Sequence, residues 1–304
     1  MASMFFLVGA PRCGTTALSR YLRKHPAICF SVPKEPHFLT YAPAEMPLEE
    51  LRRIYLQSFF AHRSPAHRLL GEGSVSTLYS DEAIRRALRL DPDARFLVMV
   101  RNPLQLLPSY HQRLLYTLDE DERDFEKAWH LQELRARGEH LPRDCRDPRV
   151  LQYGEIGRLG ERVARLFELA GRRRCLVIVH DDFATETAKV YETVLTFLGL
   201  PHDGRTSFPR RLESRTYRSL VLHRLLYRPP ARLAKAVLRA KVKGQRSQKK
   251  PWLKRARSRL LAWNSVPSPP RPLAPALREE LLRFSAPDVA RLGELLGRDL
   301  SHWR

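Results

Sequence analysis

Short apolar runs recur along the first two-thirds of the chain, each closed by a glycine, a proline or a polar turn. "MFFLVG" at Met4–Gly9 is continuous and apolar, which predicts a strand buried on both faces. From Thr15 the pattern changes period: Ala17, Leu18, Tyr21 and Leu22 keep helical spacing until Pro26 stops it. The strand signal returns in "RLLGEGSV" near 68–75, "ARFLVMVRNP" at 94–103 and "RCLVIVHDD" at 174–182. Helical patterns follow each run, with "LGERVARLFELAG" before the last and "AKVYETVLTFLGL" after it. Strands alternating with helices predict an α/β fold: a P-loop-like three-layer α/β/α arrangement around a mostly parallel sheet. Such sheets collect ligands at the carboxyl ends of their strands, so the loops after these runs are where chemistry is expected.

After Pro201 the pattern changes. "RSLVLHRLLYRPPARLAKAVLRAKVKG" reads as amphipathic helix broken at Pro229-Pro230, "GQRSQKK" as a polar connection, and "SVPSPPRPLAP" as an extended linker. "ALREELLRFSAPDVARLGELLGRDLSHW" returns to helix and is expected to pack back on the domain. No internal repeat is present. The 304 residues are predicted as one domain: a core over 1–220, a basic helical and proline-rich insertion over 221–275, and C-terminal helices over 276–304.

Charge sharpens this division. The net charge is +21, and no acidic residue occurs between Glu213 and Glu279. A segment of this kind suits an anionic membrane surface or a polyanionic partner, with a solvated basic face as the plain alternative. Few aromatics are available there for base stacking and no nucleic-acid motif is found, so nucleic acid is not the expected partner. Cys13, Cys29, Cys145 and Cys175 form no C-x-x-C pair and no zinc spacing, which predicts reduced thiols and no metal. No stretch reaches the ~18 apolar residues of a membrane span. The N-terminal run has neither a basic start nor an A-x-A cleavage site and reads as a first strand, not a leader. The expected compartment is the cytoplasm, with peripheral membrane contact through the basic segment.

Three loops carry candidate chemistry. "GAPRCGTT" has Gly9 and Gly14 at the separation of a Walker loop, but Thr15 and Thr16 stand where Lys-Ser/Thr would be, and the loop's cation is Arg12. A glycine turn feeding a helix aims backbone N–H groups and the helix dipole at an anion. Without the lysine that reaches a γ-phosphate, the loop suits a short, doubly anionic group. Next, "VRNPLQLLPSY" places Arg101 at a strand end and Ser109 about two helical turns later, where both can grip one anion. A strand-end arginine also serves in ordinary salt bridges. Last, "KEPHF" sets Glu35 beside His37, on the same side of an extended chain: a general base with a helper, or a surface glutamate and a packed histidine.

Together these segments resemble the sulfotransferases that use 3′-phosphoadenosine 5′-phosphosulfate (PAPS), the bacterial and heparan-sulfate-type members in particular. "APRCGTT" is similar to their 5′-phosphosulfate loop, "VRNPLQLLPSY" to their 3′-phosphate motif, and "KEPHFL" to the segment supplying the base. "GEGSVSTLYS" and the terminal "LLGRDLSHW" resemble further family blocks. The resemblance implies that Arg12, Cys13, Gly14, Thr15 and Thr16 hold the 5′-phosphosulfate, while Arg101 and Ser109 hold the 3′-phosphate. Arg215, with Arg218, is implied as a further nucleotide contact. Glu35 would take the proton of an acceptor hydroxyl, with His37 beside it and Arg12 offsetting charge on the leaving phosphate. The implied product is adenosine 3′,5′-bisphosphate, the acceptor a glycan, glycolipid or small hydroxyl compound, and no metal is required. The chain departs from the family at Leu106, where an arginine is usual, and at Leu212, where asparagine is common. At Gly73, where the resemblance to glycan-modifying relatives implies a lysine, the missing cation argues against a heparan-like acceptor unless another basic residue substitutes for it. A P-loop kinase and a basic membrane- or nucleic-acid-binding protein are the competing readings; Asp181 and Asp182 are the acids a kinase would need.

Overall fold

The computed structural model describes residues 3–209, 215–228, 251–268 and 272–303. The part of the predicted amphipathic helix from residue 229 onward, the polar connection over 244–250, residues 269–271 of the linker, and Leu212 lie outside the described residues.

All four apolar runs form strands: β1 (Ser3–Gly9), β3 (Leu69–Glu72), β4 (Arg95–Val100) and β5 (Cys175–Val179). The short run Ile28–Phe30, unmarked by any pattern of its own, adds β2. The sheet order is β2-β3-β1-β4-β5, and every pairing is parallel. The fold is thus the predicted α/β architecture with a parallel central sheet. Phe5, Leu7, Phe96, Leu97 and Val98 are fully buried, as continuous apolar strands require when helices cover both faces.

The helices that matter to the site are α1 (Thr15–Leu22), α2 (Phe38–Tyr41), α3 (Leu48–Phe59), α4 (Asp81–Leu90) and α5 (Pro103–Thr117). Ser80 caps α4 by accepting the N–H of Ala83 at 3.2 Å. The start of α5 is set by Asn102, whose Oδ1 accepts from Leu104 at 2.9 Å, and by Pro103 at the first helical position. From α4, buried Arg86 donates to the carbonyls of Leu39 (2.8 Å) and Pro43 (3.1 Å), holding α2 in place.

Contacts divide the chain into two compact units, with the boundary falling within α5. The first comprises Met1–Leu107, Gly154–Leu212 and Leu273–Arg304, and contains the sheet. Here the terminal helix Pro275–Leu296 packs on the helix Leu159–Ala170, in line with the expectation for this end of the chain. Asp288 caps that neighbour, accepting from Gly160 at 2.7 Å and Glu161 at 2.8 Å. A Cβ at Gly160 would stand 2.4 Å from the Asp288 carbonyl, so only glycine permits this approach.

The second unit comprises Pro108–Tyr153 and Glu213–Pro272. Its centre is a buried ion pair: Arg135 donates to both oxygens of Glu120 at 2.6 and 2.7 Å, and Tyr153 donates to Glu120 at 2.7 Å. A short antiparallel ribbon joins β6 (Arg215–Tyr217) to β7 (Ser265–Pro267). The start of the expected extended linker is therefore a paired strand. Both are short and lack alternation, so only tertiary pairing reveals them. The side chain of Asn264 secures the ribbon by bonding both the N–H (2.8 Å) and the carbonyl (3.0 Å) of Ser219.

Candidate active site

The carboxyl ends of the strands gather the sequence-derived candidates of the first unit. In the strand order, β1 is followed in the chain by a strand on one side of the β1–β4 pair and β4 by a strand on the other, the kind of switch point at which open α/β sheets form a ligand crevice. The loop after β1 enters α1 through Gly14, whose φ of 99° lies in the left-handed region. A Cβ there would meet Met99 Cε at 3.1 Å and the Phe183 ring at 3.3 Å, so glycine is required by backbone and by space. The first N–H groups of α1 face the crevice with the positive end of its dipole. Arg101, at the end of β4, donates to the carbonyl of Arg12 at 3.1 Å and to Gln105 at 3.2 Å, so the two arginines meet. Burial pushes the Arg101 pKa down while the nearby Asp181 opposes this. Cys13 is buried, and its thiol is raised far above the ordinary range by desolvation, so it stays protonated. Any part it takes in anion binding falls to its backbone N–H.

The loop after β2 brings the second group. Lys34 Nζ lies 2.5 Å from Glu35 Oε1 and 3.2 Å from Thr15 Oγ1, which ties the carboxylate to the start of α1. His37 Nε2 stands 3.5 Å from Glu35 Oε2. Simple extended alternation does not produce this contact: His37 has φ 53° and begins α2. Burial alone would raise the Glu35 carboxyl, but the His37 hydrogen bond and the Lys34 ammonium outweigh it and hold the pKa down at about 2. His37 is fixed in turn by Ser76, 2.8 Å from Nδ1, and by Ser74 Oγ, which accepts its backbone N–H at 2.8 Å. Ser76 also bonds Thr40 at 2.8 Å.

Beneath this loop lies Glu72, the last residue of β3, which is fully buried. It accepts from the Ser74 N–H and, at 3.3 Å, from the Tyr55 hydroxyl of α3. Burial raises its pKa, while bonds to Ser74 oppose the shift. The "GEGS" block therefore supports the Glu35–His37 segment from below. Lys34, Tyr55, Glu72, Ser74 and Ser76 belong to this hydrogen-bond network without having been singled out in the sequence; "KEPHF" and "GEGSVSTLYS" contain all of them except Tyr55, which lies on α3.

Ser109 is buried on α5 and belongs to the second unit, as does Arg215, which is exposed at the start of β6. Arg218 is also exposed and stacks 5.6 Å from the Trp263 ring. Leu106, where the family arginine is absent, is fully buried in the core. After β5, Asp181 accepts from Trp303 Nε1 at 2.7 Å, and Asp182 pairs with Arg298 (2.7 Å from Nη2 to Oδ1). These two acids hold the C-terminal "GRDLSHW" segment. Among the described residues, no cluster of His, Cys, Asp and Glu has the arrangement of a metal site.

The sequence profile of the sulfotransferase domain matches residues 3–219, well over half of the chain. The chain belongs to the sulfotransferase family. Along its whole length it is similar to a sulfotransferase from Alicyclobacillus acidocaldarius, with a TM-score of 0.66, 26% identity, and coverage of 100% of this chain and 99% of that one. It is 28% identical over 145 residues to carbohydrate sulfotransferase 15 of Rattus norvegicus, covering 34% of this chain and 26% of that protein. It is 32% identical over 117 residues to heparan sulfate glucosamine 3-O-sulfotransferase 6 of Homo sapiens, covering 36% of this chain and 30% of that protein. The chain thus spans about a quarter to a third of the length of these curated relatives.

Proposed function

We propose that this protein transfers a sulfuryl group from PAPS to a hydroxyl of a carbohydrate or glycolipid acceptor, with Glu35 as general base. The observation that carries this reading is the Lys34 bridge, which sets a carboxylate and its histidine against the threonine of an anion-binding loop. The loop suits the donor's charge: Arg12, Lys34 and Arg101 are cationic, and the acids nearby are already paired. The donor supplies a sulfuryl group made transferable by its bond to a 5′-phosphate. Arg12 to Thr16 would hold that end, and Arg101 the 3′-phosphate. Glu35 is ionised at neutral pH and accepts the acceptor's proton as its oxygen becomes nucleophilic, while His37 orients the carboxylate. Positive charge at the loop stabilises the departing phosphate. Neither a metal nor a Walker lysine enters this scheme.

We place the enzyme in the cytoplasm, with the basic 214–278 segment touching an anionic membrane surface. Support comes from Val221, Leu225, Leu260 and Trp263, large apolar side chains left exposed beside Arg218, Arg255 and Arg259. The donor reading is tested by thermal stabilisation. Adenosine 3′,5′-bisphosphate is expected to raise Tm while ATP with Mg²⁺ does not; a shift with ATP–Mg²⁺ alone would sink the proposal.

A further inference from the structure

The sulfotransferase reading leaves an empty place: position 73, where the resemblance to glycan-modifying members implies a lysine, is glycine here. That place is filled from another strand end. A Cβ at Gly73 would stand 3.0 Å from Lys34 Cε and 3.3 Å from its Cγ. The Lys34 stem therefore lies over Gly73, and the Lys34 carbonyl accepts the Gly73 N–H at 3.1 Å. From there the ammonium reaches Thr15 Oγ1 at 3.2 Å and Glu35 Oε1 at 2.5 Å, with its side chain only 15% exposed. No surface ion pair needs such a course. A lysine so placed is close to the phosphate loop and the base together.

Resting on the donor site proposed above, we propose that Lys34 supplies the cation missing at position 73, binding the transferred group's oxygens and positioning Glu35. Gly73 is glycine because the Lys34 stem crosses it. A charge here acts twice. It attracts the anionic end of the donor, and it keeps Glu35 ionised and aimed at the crevice. The groups facing Glu35 are Lys34 and His37, and His37 is also close to Glu72. Removing the Lys34 charge destabilises the carboxylate form, so the Glu35 pKa must rise from about 2 toward its ordinary 4.5.

The test is calorimetric titration with PAPS and with adenosine 3′,5′-bisphosphate, on wild type and variants of the full chain. Lys34→Met keeps the stem without the charge, and is expected to weaken PAPS binding by about tenfold or more. Binding of the bisphosphate, which lacks the sulfuryl group, falls by a smaller factor. The double variant Lys34→Ala/Gly73→Lys moves the ammonium to the neighbouring strand end, in the space the first change vacates, and regains most of the loss. Carboxyl NMR of Glu35 in Lys34→Met should show the upward titration shift, which loss of packing alone would not produce. Wild-type affinity and an unmoved Glu35 titration in Lys34→Met would overturn the assignment. So would a double variant that melts like wild type yet binds PAPS no better than Lys34→Ala. Wild type that binds neither nucleotide would instead remove the donor site itself.

Discussion

Glu35 is a carboxylate with two cationic or hydrogen-bonding neighbours and a buried setting, and the neighbours win. With its pKa held at about 2 against an ordinary 4.5, it is ionised throughout the neutral range. The stability gained from its partners is present above pH 4.5 and lost as pH falls toward 2. Replacing the carboxylate removes the proposed proton acceptor but leaves Arg12, Thr15, Thr16 and Arg101 in place. Glu35→Gln is therefore expected to bind adenosine 3′,5′-bisphosphate within about twofold of wild type while turnover falls by about 10²–10⁴. Paired calorimetry and single-turnover assays measure this, and wild-type-like turnover would take Glu35 out of the base role. Ser74 and Ser76 matter at the same scale, because they hold His37 from two sides and so limit where the carboxylate can point.

Among elements, the telling contrast is between two ways of using acids and arginines. At the strand ends they are partly exposed and face the crevice. In the second unit Glu120 and Arg135 are almost wholly excluded from water, yet every oxygen of Glu120 has a donor: Arg135, Tyr153, and the N–H groups of Asp121 and Glu122. Such a pair holds several loops in register, and breaking one side strands the other charge in a medium that cannot solvate it. Glu120→Gln should lower unfolding free energy by about 3–5 kcal/mol. Glu120→Gln/Arg135→Met should cost less than the single change, since no unpaired charge remains. Urea unfolding decides it, and a single-variant loss within about 0.5 kcal/mol would show that the pair is solvated after all.

For the molecule as a whole, the decisive quantity is where the charge of +21 resides. The segment without acids between Glu213 and Glu279 contributes much of it, beside exposed Val221, Leu225, Leu260 and Trp263. Apolar side chains set among arginines match the interface of an anionic bilayer better than a polyanion in water. Binding to vesicles containing phosphatidylserine is expected, weakening severalfold between 50 and 200 mM salt, roughly as charge screening requires. Trp263→Ser should reduce it further without altering the melting temperature by more than about 2 °C. Co-sedimentation measures both, and equal binding to neutral vesicles would reject a charge-led surface.

The residue pattern by itself determined the alternation of buried strands and helices, because short apolar runs separated by amphipathic helical patterns favour a parallel sheet covered on both faces. It also singled out the glycine loop after β1, Arg101 and the Glu35–His37 segment as candidates, since glycine, charge and spacing are local properties. It missed β2 and the β6–β7 ribbon, which are three residues each and carry no period of their own. Nor did it reveal that Lys34 crosses Gly73, or that Asp181 and Asp182 hold Trp303 and Arg298. Those contacts join residues from different strand ends or opposite ends of the chain. Only packing brings such groups within reach, and here packing decided which cation meets Glu35.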